Sequence, residues 1–108
     1  ALALRGAEIV LTPTANMEPF DSVATRLVPA RAEENGLYLA YCNYVWPEGR
    51  FVYNGLSCVT APDGTDAARA ATATGLFYAT LDRAMLEKAR QTQTHLSDRR
   101  PDLYGEIV

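Results

Sequence analysis

The sequence is poor in the residues that usually announce chemistry or a covalent scaffold. It has two cysteines, Cys42 and Cys58, one histidine, His95, and one lysine, Lys88. Two cysteines are too few for a disulfide framework in a chain of 108 residues. Structural zinc needs more Cys and His ligands than the three this chain holds in total, so no metal site is expected. Long apolar runs are missing too, which excludes a membrane-spanning helix. No basic segment leading into an apolar core opens the chain, so no secretory signal is visible and a cytoplasmic location is expected. Charge of one sign is also lacking: ten Lys and Arg against 13 Asp and Glu leave a scattered net −3. Phosphates demand clustered basic side chains, so nucleic acid is not an expected partner.

What is present is an ordinary globular composition, 48% hydrophobic and 21% charged, at about one small domain's length. That is too apolar for a disordered tail. The opening Ala1–Gly6 reads like the last turn of a helix with Gly6 closing it. A helix that begins at its own end predicts that the chain is cut from something longer.

Ala7–Leu11 has a short strand pattern stopped by Thr12-Pro13, and Thr14–Met17 follows as a loop. Asp21-Ser22 can cap a helix to Asn35, with Val23, Leu27, Ala30 and Glu34 marking one side and a kink or split at Pro29. Leu37–Val45 is apolar or aromatic on both alternating faces, which predicts a strand covered on both sides. Trp46–Arg50 reads as a turn, and Phe51–Thr60 as a second strand with a bulge or close approach at Gly55. Ala61–Thr65 is a strong turn. Two weak strands, Ala68–Thr74 and Leu76–Leu81, should pair about Gly75. Asp82 can cap a helix over Arg83–Gln91 with Met85, Leu86 and Ala89 inside. Residues 92–108 lack periodicity and read as an extended arm. The result is a mixed α/β layer whose central strand needs more cover than so short a chain supplies. A partial domain or an obligate oligomer is expected.

Single residues offer little chemistry. A reactive thiol wants an electropositive, partly exposed setting with a nearby base. Cys42 and Cys58 lie mid-strand without one and read as buried core thiols. His95 falls in a polar irregular stretch and Lys88 on an exposed helix side. Asp98, Arg99 and Arg100 form a surface cluster whose arginines could dock an arm on another subunit. Thr14, Asn16 and Met17 follow a strand's C-terminal end, where α/β folds often place ligand sites. A plain strand-to-helix connection is the competing reading. Asn43, polar in a buried strand, should be hydrogen-bonded to backbone or to a neighbouring loop.

Several segments together resemble the carbon–nitrogen hydrolase (nitrilase) superfamily, in particular its amidase-like members. They are Arg5–Glu8, Leu11–Met17, Pro29–Asn35, Asn43, Phe51–Ser57, Pro62–Gly64 and Arg99–Tyr104, in order along nearly the whole chain. The resemblance implies an α-β-β-α sandwich, with residues 1–108 as the C-terminal half, assembled into homodimers or larger homo-oligomers. It implies a small amide or nitrile substrate and a catalytic cysteine, glutamate and lysine, with no metal or organic cofactor. In that family the cysteine forms a thioester that water cleaves, the glutamate shuttles protons and the lysine stabilises developing charge. All three precede the matching segment, and neither Cys42, Cys58 nor Lys88 corresponds to them. The chain alone is therefore expected to be inactive. Carried over by position, Thr14, Asn16 and Met17 become substrate-side residues, and Arg99–Tyr104 a docking arm. The alternatives are a non-catalytic half-domain serving assembly, and a cysteine enzyme using Cys42 and His95, for which no base-orienting group is visible.

Overall fold

A computed structural model describes residues 1–104. The last residues of the expected arm, 105–108, lie outside the described residues. Ala3–Arg5 form a single 3-10 turn, and Gly6 closes it in the left-handed region at φ 90°, donating to the Ala3 carbonyl.

Strand β1 runs over Ile9–Thr14, further than the Thr12-Pro13 stop expected from sequence. Proline is tolerated because β1 lies at the edge of a four-stranded sheet, where a missing N–H need not break a ladder. A π-helical turn, Val23–Leu27, leads into α1, Val28–Asn35. Pro29 stands in the first turn of α1, so the expected split falls beside it, and Gly36 ends the helix at φ 55°. The buried row is Ala24, Val28 and Ala32, not the Val23–Leu27–Ala30–Glu34 side expected; Leu27 is exposed. Within the π turn the Val28 amide reaches back to the Val23 carbonyl, one residue beyond α-helical reach.

Strand β2, Tyr38–Asn43, pairs parallel to β1 with Thr14 opposite Asn43. Parallel pairing requires a crossover, and the helical segment supplies it. The run Trp46–Arg50 is not one turn: β3, Val45–Glu48, and β4, Phe51–Asn54, form a separate hairpin about Gly49-Arg50. Gly49, at φ 58°, gives the backbone the hand such tight turns require. The expected long second strand breaks at Gly55 and Leu56, both at positive φ, and resumes as β5, Cys58–Thr60. A Cβ on Gly55 would sit 2.8 Å from Val45 Cγ1, so the expected close approach is real.

Strand β6, Asp66–Arg69, completes the order β1-β2-β5-β6. The expected hairpin about Gly75 is absent; residues 70–82 carry no regular structure. Gly75 has no positive φ to make a tight reversal, and the segment is instead tied elsewhere: Leu56 donates to Ala71 and Trp46 to Thr74. Helix α2, Arg83–Thr92, starts at Asp82, whose Oδ1 accepts from the Ala84 amide at 2.8 Å.

The core has two parts. Ala24, Val28, Tyr41 and Cys58 pack between the crossover helix and one sheet face. Tyr38, Ala61 and Leu86 pack where α2 crosses the other face. Helix α2 covers only that end. Farther along, Leu11 is 70% exposed and Cys42 is exposed. The central strand is thus covered along one face and only partly along the other, which corrects both the two-sided cover and the core placement of Cys42.

Candidate functional site

The C-terminal ends of the parallel pair β1 and β2 bring Thr14 beside Asn43. Such ends are where α/β sheets bind ligands, because the chain leaves the ladder there and its loops diverge. An open groove of about 480 Å³ lies at this place, lined by Pro13, Thr14, Cys42, Asn43, Trp46 and Thr74 among others. A second groove, about 300 Å³, continues from Cys42 over Val59 and Ala68 to Phe77.

Asn43 is the junction of the site. Its Oδ1 accepts from the Asn16 amide at 2.7 Å, and its Nδ2 donates to the Asn16 carbonyl at 3.0 Å. One side chain thereby satisfies both main-chain groups of Asn16, as a neighbouring strand would. The same Nδ2 approaches Asn54 Oδ1 at 2.8 Å and the Gly55 carbonyl at 2.9 Å. Asn54, buried, passes the connection on by donating Nδ2 to Asp21 Oδ1 at 2.7 Å. The Asn43 amide in turn donates to Ser57 Oγ at 2.9 Å. The expectation that Asn43 would bond backbone and a neighbouring loop is met several times over.

Of the residues expected at a substrate site, Thr14 lines the groove at the end of β1. Asn16 follows it and also donates Nδ2 to the Phe20 carbonyl at 3.0 Å. Met17 bridges to Tyr53, and Glu18 donates its amide to Val52 at 2.9 Å, so the hairpin carries the rest of the loop. Sequence reasoning missed Asn54, Ser57 and Trp46. Asn54 had a signal, a polar residue closing the apolar run Phe51–Tyr53 before a glycine, where burial would demand partners. Trp46 had none: it holds φ 94°, unusual for a bulky side chain, and donates Nε1 to Thr74 Oγ1 at 2.9 Å.

The titratable groups do not converge. Burial pushes the Cys58 thiol up, opposed in part by the Arg69 charge. Burial likewise raises the Tyr41 hydroxyl, which lies near Asn16 but makes no hydrogen bond. Lys88 lies along α2 in another groove with Asp63 and Gln93, and His95 is exposed. Arg100 pairs with Asp102 at 2.7 Å at the surface, while Arg99 donates to the Leu96 carbonyl. Among the described residues no group of His, Cys, Asp and Glu could hold a metal ion, and no helix is long and apolar enough to cross a membrane.

Comparison with known proteins agrees with this architecture. The chain is 47% identical over 106 residues to the "Hydrolase in pqqF 5'region" of Pseudomonas protegens, covering 98% of this chain and 37% of that protein. It is 35% identical over 107 residues to an (R)-stereoselective amidase of a Pseudomonas species, covering 98% and 39%. A solved amidase from Nesterenkonia sp. AN1 shares the fold at TM-score 0.82 and 39% identity, over 98% of this chain and 37% of that one. In that structure the acetamide moiety of fluoroacetamide is covalently added at the active-site cysteine. The same amidase, of the nitrilase superfamily, has also been solved with butyramide. This chain spans less than two fifths of the length of these relatives. A family model for carbon-nitrogen hydrolases matches residues 1–91, and the chain belongs to that family.

Proposed function

We propose that this chain is the C-terminal portion of an amidase-type hydrolase that cleaves a small non-peptide amide or nitrile. Its cysteine, glutamate and lysine belong to sequence outside these residues. For an amide, the glutamate takes the cysteine thiol's proton, the thiolate attacks the carbonyl carbon and a tetrahedral intermediate forms, its charge held by the lysine. The intermediate collapses to a thioester as the C–N bond breaks and the glutamate gives the leaving amine its proton. The glutamate then takes a proton from water, which attacks the thioester; the acid is released and the glutamate returns its proton to the departing cysteine sulfur. Thr14, Asn16 and Met17 form part of the substrate-side wall, and the whole enzyme works as a homodimer or larger homo-oligomer.

The observation that carries this reading is the separation of the chain's own candidates. Cys42 faces the open sheet, Cys58 is buried under the crossover helix, and Lys88 stands in a different groove. A loop-lined groove is present at the strand ends, and the three candidates are not brought together in it. A second reading, a non-catalytic assembly half-domain, draws on the uncovered Leu11–Cys42 face.

The experiment is to read the coding sequence upstream of the Ala1 codon and assay the full product on butyramide. An in-frame cysteine, glutamate and lysine with ammonia release supports the hydrolase. A stop codon or start site there, with no hydrolysis, leaves the assembly module.

A further inference from the structure

We infer that Asn43 is a positioning residue for the substrate-side loop, acting through a two-point clasp on the main chain of Asn16. This rests on the amidase reading above. Past Thr14 the β1 ladder ends: the Asn16 carbonyl accepts from the Asn54 amide of β4 at 3.3 Å, while the Asn16 amide finds no main-chain acceptor among the described residues. The Asn43 side chain supplies the missing acceptor to the amide at 2.7 Å and adds a second donor to the carbonyl at 3.0 Å. Because the clasp holds the main chain, it sets where Asn16 sits without depending on the Asn16 side chain, while the hairpin holds Met17. The Asn54 amide braces Asn43 from behind and is itself tied to Asp21, just before the crossover helix. The hairpin, the strand end and the helix entry thus converge on one carboxamide. Aspartate cannot replace it: a carboxylate keeps the acceptor for the Asn16 amide but has no donor for the Asn16 carbonyl, and it repels Asn54 Oδ1.

The test uses Asn43→Ala, Asn43→Asp, Asn54→Ala and Asn16→Ala in the full polypeptide that the gene encodes. Amide hydrogen exchange is read beside steady-state kinetics on butyramide. Asn43→Ala should speed exchange at Asn16 by about tenfold, the loss of one hydrogen bond, and leave the α2 amides unchanged. It should raise KM for butyramide by about tenfold with a much smaller change in kcat, whereas general destabilisation would reduce the active fraction and leave KM in place. Asn43→Asp should protect the Asn16 amide better than alanine yet share its KM defect. Asn54→Ala should give the same pattern weakly, and serves where Asn43→Ala fails to fold. Asn16→Ala should leave the exchange rate at position 16 near wild type. The inference is overturned by unchanged exchange at Asn16, by faster exchange spread evenly through the chain, or by a mobile loop with unaltered KM. A gene product that hydrolyses no amide refutes the amidase reading instead, and the exchange pattern still decides the clasp.

Discussion

Tyr38 and Asp82, 44 residues apart, exchange two hydrogen bonds: the Asp82 amide donates to Tyr38 Oη at 2.9 Å, and that hydroxyl donates to the Asp82 carbonyl at 3.1 Å. The pair joins the start of β2 to the N-cap of α2, so a buried phenol fixes where the helix begins. Tyr38→Phe keeps the ring in the core but leaves both Asp82 groups without their partner. It should lower stability by about 1–2 kcal/mol, measured by urea unfolding. Exchange should rise first at the α2 N-terminus, and uniform change through the chain would contradict this local role.

Gly55 is the turn point between the hairpin and β5. Its φ is 63°, and an added Cβ would stand 2.8 Å from Val45 Cγ1 and 3.1 Å from the Ala71 carbonyl oxygen, so alanine meets strain and a clash together. Gly55→Ala should cost about 2 kcal/mol or more. Gly49→Ala is the control: it has a similar φ of 58° but open space around it, and should cost less.

The two thiols should separate cleanly. Exposed Cys42 should react with a disulfide reagent in the native chain, and buried Cys58 only as the chain unfolds. Burial raises the Cys58 pKa, so the folded state holds its proton after the unfolded state has released it. Stability from this source is complete below the ordinary thiol value of 9.0 and falls as pH rises through the folded value. Cys58→Ala should flatten that alkaline decline, and an unchanged slope would refute the assignment.

Asp63 gives the opposite sign. Hydrogen bonds from the Thr65 hydroxyl and amide hold its carboxyl below the usual value of 3.8. Its contribution is present above that value and fades as pH falls through the lower folded one. Because Asp63 is exposed the effect is small, under about 1 kcal/mol. Acid titration of Asp63→Asn against the parent chain should show a shallower loss of stability.

Local chemistry determined much of this protein. The Gly36 helix stop, the Asp82 cap, the Ala61–Thr65 turn and the split at Pro29 each depend on a residue's own backbone geometry or hydrogen-bonding group. Such signals act within a few positions, so they are readable along the chain. The family resemblance, too, was legible as ordered segments from Arg5 to Tyr104. Tertiary structure decided the rest. Pro13 stays in β1 only because that strand lies at an edge, and Cys42 is exposed because α2 covers just the Tyr38 end of its face. Residues 70–82 abandon a hairpin because Leu56 and Trp46, far back in sequence, hold Ala71 and Thr74. The need of Asn43 for partners could be read from its burial in a strand. Its choice of Asn16 and Asn54 could not, since three segments must first be brought to one point, and nothing local specifies that meeting.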